Sequence, residues 1–299
     1  MSASDSGGRS PGVPVRRPSL DLERRLWREG HRWVAGVDEV GRGAWAGPLS
    51  VGVAVVHAGA RTRSLPAWLR DSKLLTEDRR ELVFDEVARW CADGAVGHAT
   101  ADECDRFGMT RAWRLAAHRA LAALELVPDA LVIDGPYDLL RGHETPPLTD
   151  DLEGPQLGAL DAPASPHQDA CAGGRRDKED RSSPDDGFVL PAAPVPSTVL
   201  TVVGGDARCA TVAAASVLAK VVRDREMRAE AVHFPPYGFD RNKGYPSVRH
   251  QIALRGYGLS AIHRRSWSYV ADLPGRRSAP PGAELHRAGT SGDERRGAS

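Results

Sequence analysis

The chain has 299 residues, 41% of them apolar, enough to bury the core of one or two domains. Its 40 Lys+Arg balance 40 Asp+Glu, so bulk charge points to no polyanionic partner, and any nucleic-acid surface has to be local. Cys91, Cys104, Cys171 and Cys209 lack C-x-x-C spacing, no apolar signal region opens the chain, and no apolar run nears the ~18 to 20 residues of a membrane span, which together predict a soluble protein of the reducing cytoplasm.

Residues 1–18 are Ser, Gly, Pro and Arg with little to bury, and 273–299 repeat that composition; both read as disordered tails. Leu20 to Arg28 suits a short helix. Trp33 to Val37 is an apolar strand ending in Asp38-Glu39, and Leu49 to Val56 is a second, Val-rich strand reached through a glycine-containing loop. A helix is expected from about Glu77 to Cys91, with Thr76 as N-cap and Leu82, Val83, Val87 and Trp90 on its apolar face. Gly94 to Thr100 reads as a strand, Thr110 to Leu126 as a long helix stopped by Pro128, and Ala130 to Ile133 as a strand ending in Asp134-Gly135-Pro136.

The composition then changes. From Arg141 to about Pro196 lie 9 of the 22 prolines, with charged runs such as Arg175 to Arg181, a composition unable to offset its own ordering entropy and so expected to be a disordered insertion at about 141–196. The fold resumes with a strand at Val199 to Val203, ending at Gly204-Gly205-Asp206. A Pro-free helix from about Thr211 to Glu230 follows, opening with Ala213-Ala214-Ala215-Ser216, small enough to lie tight on a sheet. A short helix to about Arg255 comes last. Strands interleaved with helices make an α/β fold in one interrupted domain, 19–272.

Three strands thus end in acid: Asp38-Glu39, Asp134 and Asp206. Ligand sites of α/β sheets lie outside strand ends, so these carboxylates can converge. Four together cannot all stay ionised without cations between them, and an all-oxygen donor set suits Mg²⁺ or Mn²⁺. Taken singly, an Asp before Gly is a common turn former. Neighbouring strand residues point to opposite faces, so either the strand ends between Asp38 and Glu39 or Glu39 contributes through its carbonyl.

The segment Gly36-Val37-Asp38-Glu39-Val40-Gly41-Arg42-Gly43 with Ala46-Gly47-Pro48 resembles the signature of type 2 ribonuclease H, ribonuclease HII. Asp71-Ser72-Lys73, Ile133-Asp134-Gly135, Gly205-Asp206, Ala213 to Asp224, Tyr237-Gly238-Phe239, Lys243-Gly244-Tyr245 and His263-Arg264-Arg265-Ser266 follow in the order of that family, across nearly all of the part expected to fold. The resemblance implies an RNase H-like fold, a central mixed sheet flanked by helices with a small helical C-terminal extension. It implies an endonuclease that cuts the RNA strand of RNA/DNA hybrids and nicks 5′ to ribonucleotides embedded in duplex DNA, leaving 3′-hydroxyl and 5′-phosphate ends by two-metal-ion catalysis with Mn²⁺ or Mg²⁺. It makes Asp38, Glu39, Asp134 and Asp206 the catalytic metal ligands. The Gly41-Arg42-Gly43 backbone would meet the ribose 2′-hydroxyl, Tyr245 would pack on the neighbouring deoxyribose, and Lys73 and Lys220 would contact phosphate.

Between Ala215 and Val270 ten Lys/Arg face four acids, a local +6 that suits phosphate positioning, although such runs are commonly solvated faces. Asp224 reads as a structural ion pair, His250 and His263 as packing or phosphate contacts, Trp45 as core or substrate contact, and Cys209 as a small buried hydrophobe. Pro136 stands where the family more often has Asn. Ribonuclease HIII, which usually differs at the position of Arg42 and carries an added N-terminal domain, is the nearest alternative. A non-catalytic hybrid-binding protein would not need four intact acids, and a small-molecule phosphatase would leave the basic stretch unexplained.

Overall fold

The computed structural model describes residues 18–59, 69, 76–141 and 187–273. Five strands form one mixed sheet: β1 (Trp33–Val40), β2 (Leu49–His57), β3 (Asp93–Ala99), β4 (Ala130–Asp134) and β5 (Thr198–Val202). Their order is β3-β2-β1-β4-β5, with β1 antiparallel to β2 and β2 to β3, while β4 runs parallel to both β1 and β5. The continuous apolar runs of β1, β2 and β4 are those of strands covered on both faces.

Alternation decides what each face meets. Ala35 and Val37 of β1, with Leu131 and Ile133 of β4, pack beneath helix α3 (Ala101–Ala122), which contributes Trp113, Ala116 and Ala120. On the other face helix α5 (Ala210–His233) lies across the sheet, with α2 (Glu77–Trp90) beside it and α1 (Asp21–Arg28) bracing the end near β4. The approach of α5 is very close, because a Cβ at Gly36 would overlap the Thr211–Val212 peptide and one at Gly52 the Ala215 carbonyl. The run Ala213-Ala214-Ala215 is fully buried there, as its small side chains suggest.

After α5 the chain builds a second small core from the one-turn helix α6 (Phe239–Asn242), helix α7 (Val248–Tyr257) and the segment to Leu273. Tyr237, Phe239, Leu254 and Tyr269 pack there around Met227 and Ala46. This is the expected helical C-terminal extension.

Several expectations need correction. The helix expected from about Thr110 to Leu126 is the second part of α3 and ends at Ala122; a first part, not expected, begins at Ala101 on a capping box in which Thr100 and Glu103 satisfy each other's amides. Gly108, with φ +76, kinks it and hides its first turns from a periodicity search. Leu82 on α2 is 75% exposed, so only Val83 and Val87 of its expected stripe are buried. Most of the expected insertion at 141–196 and, apart from the buried Pro18 and Leu273, both expected tails lie outside the described residues. Its last part, 187–196, packs: Ala193 and Val195 touch the core, and the Pro191 carbonyl meets His118 at 3.1 Å.

Gly36→Ala is expected to destabilise the fold by about 1–3 kcal/mol or more, since the added methyl meets backbone that cannot rotate away. Denaturant melts compared with Gly43→Ala, whose Cβ meets nothing nearer than the Tyr245 ring at 4.0 Å, check this.

Candidate active site

Asp38 and Asp134 are neighbours for two reasons of register. The last paired residues of β1 and β4 are Val37 and Ile133, so Asp38 and Asp134 come one step further along each strand. Counting in twos, Asp38 shares a face with Val34 and Gly36, and Asp134 with Ala130 and Val132; both therefore face α5. Asp206 arrives differently from the sequence expectation. It sits not on a strand end but in α4 (Gly205–Arg208), a single helical turn that follows Gly204 in the left-handed conformation at φ +66. The Gly205 amide donates to Asp134 Oδ1 at 2.7 Å, tying that turn to β4. One carboxylate oxygen from each of Asp38, Asp134 and Asp206 falls within 4.8 Å of the others.

Such proximity has an electrostatic cost. Burial, and then the charges of Glu39, Asp134 and Asp206, push the Asp38 carboxyl well above its usual range, against a hydrogen bond from Ser216 on α5. Like charges held together in low dielectric are relieved by a divalent cation, and an all-carboxylate donor set fits a hard one. The residues present therefore suit Mg²⁺ or Mn²⁺.

Glu39 settles the geometric difficulty of the sequence. The strand does not end before it, because Glu39 pairs with Val51 and Val40 with Ser50. Its side chain takes the α3 face, where Trp113 Nε1 donates to Oε2 at 3.2 Å and Arg42 lies 3.7 Å from Oε1. The structure thus brings three of the four expected carboxylates together and leaves the fourth beside them, near enough to act on Asp38 through its charge.

The loop from Gly41 to Pro48 is held from beneath by two buried arginines. Arg223 donates to the carbonyls of Pro48, Lys243 and Ala46 at 2.8, 2.9 and 3.2 Å. Arg264 donates to those of Gly41, Arg42 and Gly47 at 2.7, 2.9 and 3.1 Å. A planar fork suits such multiple donation to carbonyls, which a lysine could not reproduce. Gly41 combines φ +86 with an Arg223 side chain where its Cβ would stand, so only glycine fits. Its amide donates to Tyr245 Oη at 3.1 Å. The expected sugar-reading elements, Gly41, Arg42, Gly43 and Tyr245, accordingly lie together.

The basic stretch behaves otherwise. Arg225 and Arg228 pair with Glu81, Arg228 and Lys243 with Glu77, and Arg223 and Arg264 are buried braces. Six of the ten cations are therefore engaged in internal contacts, while Arg241, Arg249, Arg255 and Arg265 stay exposed. Lys220 pairs with Asp224, which Arg80 also approaches at 3.6 Å, so Asp224 is the ion pair expected, with partners other than its chain neighbours. Lys73 lies outside the described residues. Trp45 stacks on Tyr269 at 4.1 Å while staying partly exposed, and Cys209 is buried, its thiol pushed up to about 12 by burial. Sequence reasoning missed Trp113, Ser216, Arg223 and Arg264. Ser216, Arg223 and Arg264 all stand in the motif blocks that carry the resemblance, but nothing in those blocks says which group each side chain meets.

A family model described as Ribonuclease HII matches residues 35–145 and 191–270, the two parts that carry the three acids, the glycine loop and Tyr245. The chain belongs to the ribonuclease HII family. It is 37% identical over 263 residues to ribonuclease HII of Streptomyces avermitilis, covering 88% of each chain, and 38% identical to that of Streptomyces coelicolor with the same coverage. Among solved structures it is similar to the ribonuclease H2 of Pyrococcus horikoshii, with a TM-score of 0.55 and 27% identity over 80% of this chain and 96% of that one. A ribonuclease HII is a metal-dependent nuclease, and the chain is an enzyme of that class. Among the described residues no helix is long and apolar enough to cross a membrane.

The raised Asp38 pKa has a sign that can be checked. A carboxyl that binds its proton more tightly in the folded than in the unfolded state loses stability as pH rises from the unfolded value through the folded one. Asp38→Asn should therefore raise the melting temperature of the metal-free protein at pH 7, with the gain shrinking toward pH 4. Mn²⁺ should stabilise the wild type more than the variant. Calorimetric scans with and without chelator read both effects.

Proposed function

We propose that this ribonuclease HII is an endonuclease that hydrolyses the RNA strand of RNA/DNA hybrids and nicks duplex DNA on the 5′ side of single embedded ribonucleotides, leaving 5′-phosphate and 3′-hydroxyl ends. The observation that carries this reading is the placement of a glycine loop, shaped from beneath by Arg223 and Arg264, directly after the strand that supplies Asp38 to the acidic cluster. The 2′-hydroxyl is the one group that marks a ribonucleotide within DNA, and exposed backbone at Arg42 and Gly43 can approach it where a side chain would intervene.

Asp38, Asp134 and Asp206 would hold Mg²⁺ or Mn²⁺, with Glu39 completing the set from the α3 face. When bound, the cations supply the positive charge that activates water for in-line attack and stabilises the departing 3′-oxygen. The chain's own contribution is positional. Ser216 and the Gly205 amide orient two of the carboxylates, Trp113 and Arg42 steady Glu39, and Tyr245 presents its ring beside Gly43 for the neighbouring deoxyribose. Lys220, one turn along α5 from Ser216, and Lys73 would assist with phosphate. We place the enzyme in the cytoplasm as a monomer, with one catalytic domain spanning 19–272.

Purified protein with Mn²⁺ or Mg²⁺ should nick a duplex carrying one ribonucleotide and leave the all-DNA control intact. Asp134→Asn should abolish nicking while duplex binding, read by fluorescence anisotropy, survives. Cleavage of the all-DNA duplex, or full activity in Asp134→Asn, would contradict this reading.

A further inference from the structure

His250 and His263 take no part in the site as described, yet both are almost fully buried, 0% and 1% exposed, and their Nε2 atoms lie 2.8 Å apart. Main chain fixes both outer ends of the pair. His250 Nδ1 is 3.0 Å from the Tyr245 carbonyl, which can only accept, so Nδ1 carries the proton and Nε2 of the neutral ring is an acceptor. The Ser260 amide, which can only donate, points at His263 Nδ1 from 2.9 Å, so that nitrogen is bare and Nε2 carries the proton. The Ser260 hydroxyl adds a second donor at 2.6 Å. The two deductions are independent and agree at the centre: His263 donates and His250 accepts. Agreement requires both rings to be neutral, and burial does lower both pKa values, that of His263 to about 3.

This chain of bonds joins two segments that hold one residue from opposite sides. His250 lies in the first turn of α7, capped by Ser247, and reaches back to Tyr245, whose hydroxyl takes the Gly41 amide at 3.1 Å. His263 pairs with Ala46 and immediately precedes Arg264, whose guanidinium takes the Gly41 carbonyl at 2.7 Å. Tyr237 and Phe239 confine both imidazoles, with ring centroids 4.8 to 6.0 Å away. Simple packing would be served by apolar rings; two buried polar rings with every nitrogen satisfied fix an orientation instead.

We propose that His250 and His263 are positioning residues for ribonucleotide recognition, locking Tyr245 and Arg264 into one rigid clamp on Gly41 and so setting where the Gly41–Gly43 backbone meets the sugar. This deepens the nicking reading above and rests on it.

The test compares His250→Phe, which keeps the volume and loses both bonds, with His250→Asn, whose amide can still donate to the Tyr245 carbonyl. In His250→Phe, kcat/KM on a duplex with one ribonucleotide should fall about tenfold, mostly through KM. Mn²⁺ binding to the free protein, read by calorimetry, should not change. Combining His250→Phe with Tyr245→Phe should cost no more than the worse single variant, the signature of two residues acting through one contact. Exchange of the Gly41 amide should quicken in His250→Phe. His250→Asn, which keeps the bond to Tyr245 and loses that to His263, should fall between wild type and His250→Phe in both Gly41 protection and kcat/KM.

Additive losses in the double variant, an unchanged Gly41 exchange rate, or a fall in Mn²⁺ affinity would overturn the proposal. Should His250→Phe fail to fold, wild-type Gly41 exchange and wild-type kcat/KM in His250→Asn overturn it equally, because the bond to His263 is absent there. A wild type that nicks no ribonucleotide duplex would sink the functional reading alone, while Gly41 exchange and Mn²⁺ binding still decide the role of the pair.

Discussion

Three carboxylates whose nearest oxygens lie within 4.8 Å are a configuration that a folded chain resists, and the rest of the molecule is arranged so that it persists. Two of the three stand on adjacent parallel strands at the same register and on the same face, where sheet hydrogen bonds prevent them from parting. The third stands on a turn tied by its Gly205 amide to the second. Glycines at positions 36 and 52 bring α5 down close to the sheet, and that closeness lets Ser216 reach Asp38. The repulsion stored among the acids is the same property that gives the site its appetite for a divalent cation.

Beside this negative cluster the molecule buries positive charge. Arg223 and Arg264 are both fully buried, and every hydrogen bond they make among the described residues goes to a main-chain carbonyl. Their directional donors shape a loop whose packed side chains include Ala44, Trp45 and Ala46, leaving Arg42 exposed and Gly43 open on the outer side. Main chain left open on its outer side is stabilised from behind. The C-terminal extension exists in part to deliver this support, since Arg264, Tyr245 and Tyr269 all reach the loop from it.

Much of this was legible in the sequence. Apolar runs ending in acid located β1 and β4, and alternation raised the question of whether Asp38 and Glu39 face opposite ways, which the continued pairing of β1 answers. The small residues Ala213-Ala214-Ala215-Ser216 anticipated the tight seat of α5, though not the glycines at 36 and 52 that meet it. The ordered set of motifs, from Gly36-Val37-Asp38-Glu39 to His263-Arg264-Arg265-Ser266, pointed to the family that the comparisons establish. Less legible was α3, whose first turns are masked by the kink at Gly108, and the position of Asp206, which a strand-end reading could not distinguish from a one-turn helix.

What the sequence determined by itself were properties carried by local spacing: the order of elements, the face each strand residue takes, and the residue types able to bind a hard cation. Only the tertiary structure decided which partner each long side chain chose. It turned Glu39 toward Trp113, assigned most of the basic stretch to Glu77, Glu81, Asp224 and backbone carbonyls, and joined His250 to His263. The physical reason is reach. A strand residue has two possible directions, fixed by the period of the backbone, whereas an arginine or histidine can meet any group that folding brings near it. Those groups lie as far as 223 residues away, as Gly41 does from Arg264.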